Sequence, residues 1–116
     1  MTETTTNLAG VYVSRRPTED DWRGVLLLRN GRFFFIDSNG EAWEGYYRHN
    51  PVNNRFSGAG FCRFVTAGDD SEAAPRPVIM SGTVFDDSIK VTVEKNRYEP
   101  EVRIARRVSV PLSADA

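Results

Sequence analysis

The sequence predicts an all-β fold: an eight-stranded antiparallel barrel, lipocalin-like, traced up and down in chain order. Three observations lead there. Short apolar-rich ribbons alternate with turn residues along the chain, and no stretch carries a convincing helical period. The connections are too short for parallel crossovers, so neighbouring strands run antiparallel. Eight such strands in a row leave two free edges unless the first and last meet, and eight is the strand number of small closed barrels. A two-sheet β-sandwich made from the same strands is the alternative.

The elements follow in order. Residues 1–7 form a polar tail, residues 8–112 one barrel domain, and residues 113–116 a second tail. Leu8–Ser14 is the first strand. Arg15–Arg23 is a charged loop with room for a short helical turn at Thr18–Trp22. Gly24–Arg29 and Arg32–Asp37 flank Asn30-Gly31, the strongest hairpin signal, because both residues tolerate positive φ. Ser38-Asn39-Gly40 turns the chain into Glu41–His49, and Asn50–Asn54 turns it again into the long strand Arg55–Thr66. Ala67–Pro77 is the longest loop. Val78–Asp86 and Ser88–Lys95 form the next hairpin, and Glu101–Val110 is the last strand, stopped by Pro111. Ile89, Val91 and Val93 alternate with Lys90, Thr92 and Glu94, which marks one buried and one wet face. Gly45, Gly58, Gly60 and Gly82 lie inside strands, where a coiled barrel uses them for sharp bending and close backbone approach.

Charge excludes some functions. The formal net charge is −1, so the chain lacks the basic excess that grips nucleic acid or an anionic membrane without sequence preference. Arg103, Arg106 and Arg107 lie near aromatic strands, but Glu99 and Glu101 stand beside them. Cys62 is the only cysteine, no basic-then-apolar leader opens the chain, and no apolar run reaches membrane-helix length. The expectation is a cytoplasmic protein with no nucleic-acid or membrane partner.

Leu8-Ala9-Gly10-Val11-Tyr12 resembles the first-strand signature of the calycin superfamily, which comprises lipocalins, fatty-acid-binding proteins and avidins: Gly, any residue, then usually Trp. Tyr12 stands at the Trp position. Gly40-Glu41-Ala42-Trp43-Glu44-Gly45-Tyr46 resembles a Gly-x-x-x-x-Gly-x-aromatic strand of avidin-like and small bacterial lipocalin-like chains. In calycins a basic residue of the last strand packs across the first-strand Trp, and Arg106 or Arg107 stands at the matching place. The resemblance implies a barrel that holds a small ligand inside. It carries over neither a biotin-contacting set nor a fatty-acid carboxylate clamp. The residues add their own argument: extending the inward parity of Val102 and Ile104 turns Arg106 inward, where an aromatic face such as Tyr12 would partner a buried guanidinium. Gly10, Tyr12 and Arg106 are therefore the expected closure of the barrel.

Two binding surfaces follow. Trp43 and Tyr47 share a strand face, and so do Phe56, Gly58, Gly60, Cys62 and Phe64. Facing inward, Trp43, Tyr47, Phe56, Phe64 and Arg106 would line a site for a small apolar or aromatic ligand, unless they are simply core. The hairpin Val25–Ile36 carries apolar residues on both faces. One face is core; the other, assigned to Leu26, Leu28, Phe34 and Ile36, is the expected interface for a homodimer or protein partner. Glu41, Glu44, Tyr46 and His49 are the only residues that invite an enzymatic reading, and no orienting group is readable beside them. The acidic loops Glu19–Asp21 and Asp69–Glu72 lack the ordered spacing of a calcium loop. No metal, cofactor or catalytic residue is expected. The reading is a non-enzymatic ligand-binding barrel, with an interaction module of filled interior as the alternative.

Overall fold

The computed structural model describes residues 8–64, 75–95 and 99–108. The side chain of Phe64, both tails and the tip of the 67–77 loop lie outside the described residues. The chain forms β1 (Gly10–Arg15), β2 (Gly24–Arg29), β3 (Arg32–Asp37), β4 (Glu41–Asn50), β5 (Arg55–Phe64), β6 (Arg76–Phe85), β7 (Ser88–Glu94) and β8 (Glu101–Arg107). Each strand pairs antiparallel with its sequence neighbour, and β8 returns to β1 to close the barrel. The sandwich alternative is excluded. No helix forms in 16–23; a single turn, in which the Glu19 amide donates to the Arg16 carbonyl at 3.0 Å, stands there instead.

The turns explain the connectivity. Asn30 and Gly31 take φ values of 53° and 78°, the pair of left-handed residues that a two-residue hairpin matched to strand twist requires. Between β3 and β4, Asp37 Oδ1 accepts from the Asn39 and Glu41 amides at 2.9 and 3.0 Å. Between β4 and β5, Asn50 Oδ1 accepts from the Val52 amide at 2.9 Å and Asn53 Oδ1 from the Arg55 amide at 3.1 Å. Each short side chain thus supplies the bond that the bending backbone lacks.

Even-numbered residues of β1 and β2 face inward, as do Phe33, Phe35 and Asp37 of β3. One contiguous apolar cluster fills the interior, with Tyr12, Leu28, Phe33, Phe56, Met80 and Ile89 among its most enclosed side chains. The β1–β2, β3–β4, β5–β6 and β7–β8 connections share one end, the loop end. The other, the turn end, carries the three remaining turns and is sealed by Leu8.

The inward parity of β8 is the reverse of the expected one. Arg103 and Ala105 are buried, whereas Val102 and Ile104 lie on the outer side. Register fixes this: Ala105 pairs with Ile89 and with Ser14, and Arg103 pairs with Val91, all inward residues. Paired residues share a face, so the buried face of β7 decides that of β8. Arg106 consequently points outward, with its guanidinium 5.5 Å from the Trp22 ring.

Candidate functional site

Three regions hold the expected site residues. The first is the turn-end closure. Tyr12, 1% exposed, donates its hydroxyl proton to the Leu8 carbonyl at 2.8 Å and accepts from Arg107 Nη2 at 3.1 Å. The Arg107 guanidinium also sits 5.4 Å over the Tyr12 ring. Gly10 makes room for it, because a Cβ there would lie 3.3 Å from Arg107 Nε. The closure therefore joins Gly10, Tyr12 and Arg107, the second of the two arginines the resemblance offered, and Arg106 takes no part. Burial raises the Tyr12 pKa, which the Arg107 hydrogen bond and charge only partly offset.

The second region is the interior. Trp43 and Phe56 are buried, Tyr47 is half-buried, and the Tyr47 and Phe56 rings stack at 5.6 Å. At the loop end, aromatic packing gives way to a charged network that sequence reasoning missed. Glu41 Oε2 accepts from Lys95 Nζ at 2.7 Å, Trp43 Nε1 at 2.8 Å and Cys62 Sγ at 3.1 Å. Lys95 also reaches Glu101 Oε1 at 3.2 Å. Arg103 donates from Nε to Glu101 Oε2 at 2.7 Å, lies 3.6 Å from Asp37 Oδ2, and covers the Phe35 ring at 4.8 Å. Three strands, β3, β4 and β8, and the loop after β7 supply the two cations and three carboxylates. The only trace in the sequence is that Asp37 and Glu41 share the parity of Phe35 and Trp43.

The network holds its members in unreactive forms. Burial alone would raise the Glu41 carboxyl, but the hydrogen bonds from Lys95, Trp43 and Cys62 outweigh it and leave its pKa lowered. Burial would likewise raise Glu101, and the charges of Arg103 and Lys95 bring it down. Burial opposes the charge on Lys95, yet Glu41 and Glu101 hold its pKa above the ordinary value. Burial, together with the Glu41 carboxylate, pushes the Cys62 thiol up to about 12. Near neutrality the thiol is protonated, the amine charged and the two glutamates ionised and occupied, so none of these four is poised as nucleophile or general acid. The other residues that invited an enzymatic reading are dispersed. Glu41 and His49 sit eight positions apart on β4, roughly 26 Å at about 3.3 Å per residue, while Glu44 and Tyr46 face outward.

The third region is the outer face of β2–β5. Leu26 and Leu28, expected at the interface, are core residues. Phe34 and Ile36 do face out, and Val25 and Leu27 are their companions. The correction has a simple cause. Val25–Leu28 and Phe33–Ile36 are apolar at every position, so neither strand shows which parity is wet; the pairing of Leu26 with Phe35 and of Leu28 with Phe33 decides it. Two rows cross four strands: Val25, Ile36, Ala42 and Arg63, then Leu27, Phe34, Glu44 and Phe61. They line a groove of about 570 Å³, bordered by Pro75. Val25 is 45%, Ile36 50% and Phe61 58% exposed, and Trp22 does not cover them, because it is held between Arg15 and Arg106.

No family model matches the chain, and neither a curated protein nor a solved structure matches it significantly.

Proposed function

We propose that this barrel is a non-enzymatic interaction module that pairs through the outer face of β2–β5, with a second copy of the same chain as the occupant. One observation carries the reading. The interior is packed with its own side chains, whereas an apolar groove of about 570 Å³ lies outside, among exposed Val25, Ile36 and Phe61. A closed barrel offers no free strand edge, so association must run through side chains. Apolar faces of this kind are normally covered in use. The charges favour self-pairing: Glu44 and Arg63 stand on adjacent strands within the groove, so each copy presents one acid and one base that a second copy can complement. The expected result is a dimer by sedimentation or light scattering, converted to monomer by Phe34→Glu together with Ile36→Glu. A wild-type monomer at high concentration overturns the reading.

A calycin-like function is the second reading, favoured by the Tyr12–Arg107 closure and by the aromatic lining. Here Trp43, Tyr47 and Phe56 hold a small apolar or aromatic ligand inside the barrel, approached from the loop end. Phe64 belongs to the same expected set, but its side chain lies outside the described residues, and Arg106, which faces outward, does not. This reading expects saturable binding of an apolar fluorescent probe with quenching of Trp43 emission, lost in Trp43→Phe for the quenching alone. Absence of saturable binding removes it.

A further inference from the structure

A second cavity, of about 610 Å³, lies against the β4–β5 turn on the side away from the apolar groove. Its chemistry is different. Arg48, Asn50, Arg55 and Ser57 lie on the outer face of the two strands, with Arg48 paired to Ser57 and Asn50 to Arg55. Ser81 of β6 extends the row beside Ser57.

We propose that this cavity is an oxyanion site that takes a small phosphate monoester, its phosphate held between Arg48 and Arg55. Three features carry it. First, none of the nine lining residues is acidic, and neither arginine makes an ion pair among the described residues. Diagonal neighbours across an antiparallel pair stand roughly 7–8 Å apart, close enough for two guanidiniums to repel each other and for one dianion to satisfy both. Second, Asn50 and Asn53 have already committed their side-chain oxygens, which accept from the Val52 and Arg55 amides. What each amide has left to offer is its NH₂, a donor. Third, Ser57 and Ser81 add hydroxyls that donate to an anion without charge. A site with two cations, several further donors and no carboxylate selects an oxyanion over a cation. The volume exceeds a bare ion severalfold and fits a phosphate that carries an organic group.

The test uses the full chain, titrated separately with inorganic phosphate and with phenyl phosphate at constant ionic strength, read by calorimetry and by backbone amide shifts. Saturable binding is expected, with shifts concentrated at Asn50, Asn53, Arg55 and Ser57. Each of Arg48→Gln and Arg55→Gln weakens it by about tenfold, the loss of one charge-assisted contact. Arg29→Gln, on the outer face of β2, leaves it unchanged. Both arginines are exposed, so the variants are expected to melt like the wild type. Phenyl phosphate binding more tightly than inorganic phosphate identifies the ester as the ligand class; equal affinities would limit the site to the free ion and overturn that part of the proposal. Absence of saturable binding, or unchanged affinity in Arg48→Gln/Arg55→Gln, overturns the site itself.

Discussion

Replacing Arg103 with alanine is expected to cost about 3–5 kcal/mol of unfolding free energy. Arg103 is 4% exposed, and its guanidinium is the shared counter-charge of Glu101 and Asp37 inside the loop end. Its removal leaves the enclosed Asp37 carboxylate without a cation and Glu101 with only Lys95 and Arg16, and the penalty comes from that uncompensated charge more than from the lost contacts. Arg103→Lys should rescue little. One ammonium cannot meet Glu101, Asp37 and Ser14 at once while lying flat on Phe35. Arg103→Met combined with Glu101→Gln and Asp37→Asn should recover part of the loss, because it removes the charges together and Asn keeps the oxygen that holds the β3–β4 turn. Urea unfolding of the three proteins measures this. An Arg103→Ala cost near 1 kcal/mol, the scale of a surface ion pair, would mean that water reaches the network freely.

The same cluster shapes the pH profile. Glu41 and Glu101 have lowered pKa values in the folded chain, so their stabilisation is complete above the unfolded carboxylate pKa, about 4.3, and is lost as pH falls through the folded values. Lys95 and Cys62 have raised values, so theirs is complete below the unfolded pKa and is lost as pH rises. For Cys62 the loss runs from the ordinary 9.0 toward about 12. Stability should therefore be flat from about pH 5 to pH 8.5 and decline on both sides. Cys62→Ala should delay the alkaline decline and, because it removes one of the hydrogen bonds that lower Glu41, should bring the acid decline in at slightly higher pH.

The fold was legible because its cues are local. Asn30-Gly31 states a hairpin, the alternation of Ile89, Val91 and Val93 states a half-buried strand, and antiparallel order follows from short connections. The network was illegible because its members meet only through closure. Lys95 and Glu41 are 54 positions apart, and the inward turn of Arg103 is dictated by β7 rather than by its own neighbours. Hydrophobic alternation in Val102-Arg103-Ile104 points the other way, since an arginine is expected in water unless its carboxylates are already known to be inside. The interface was half legible for a related reason: a strand apolar on both faces announces that something covers each face, but not which residue lies on which.

The strand glycines carry the other large effect, and they can be ranked. Gly45 and Gly60 face each other across β4 and β5. A Cβ on Gly60 would lie 2.7 Å from the Gly45 Cα and 2.8 Å from the Glu44 carbonyl carbon, and would collide with the Glu44 oxygen as well. These are backbone atoms of a ten-residue strand held by partners on both sides, so no rotamer change relieves the clash. Gly60→Ala is expected to cost about 3 kcal/mol or more, or to leave the chain unfolded. Gly58→Ala meets the Met80 methyl at 3.0 Å, the end of a flexible side chain that can swing aside, and the Tyr46 carbonyl oxygen at 3.2 Å, which needs only a small backbone shift, and should cost less. Gly31→Ala meets nothing within 4 Å; only its φ of 78° is at stake, about 1 kcal/mol. Soluble yield, circular dichroism and urea midpoints of the three variants give the order. Gly60→Ala as stable as Gly31→Ala would mean that β4 and β5 do not approach this closely, and the tight curl that brings β8 back to β1 would need another source.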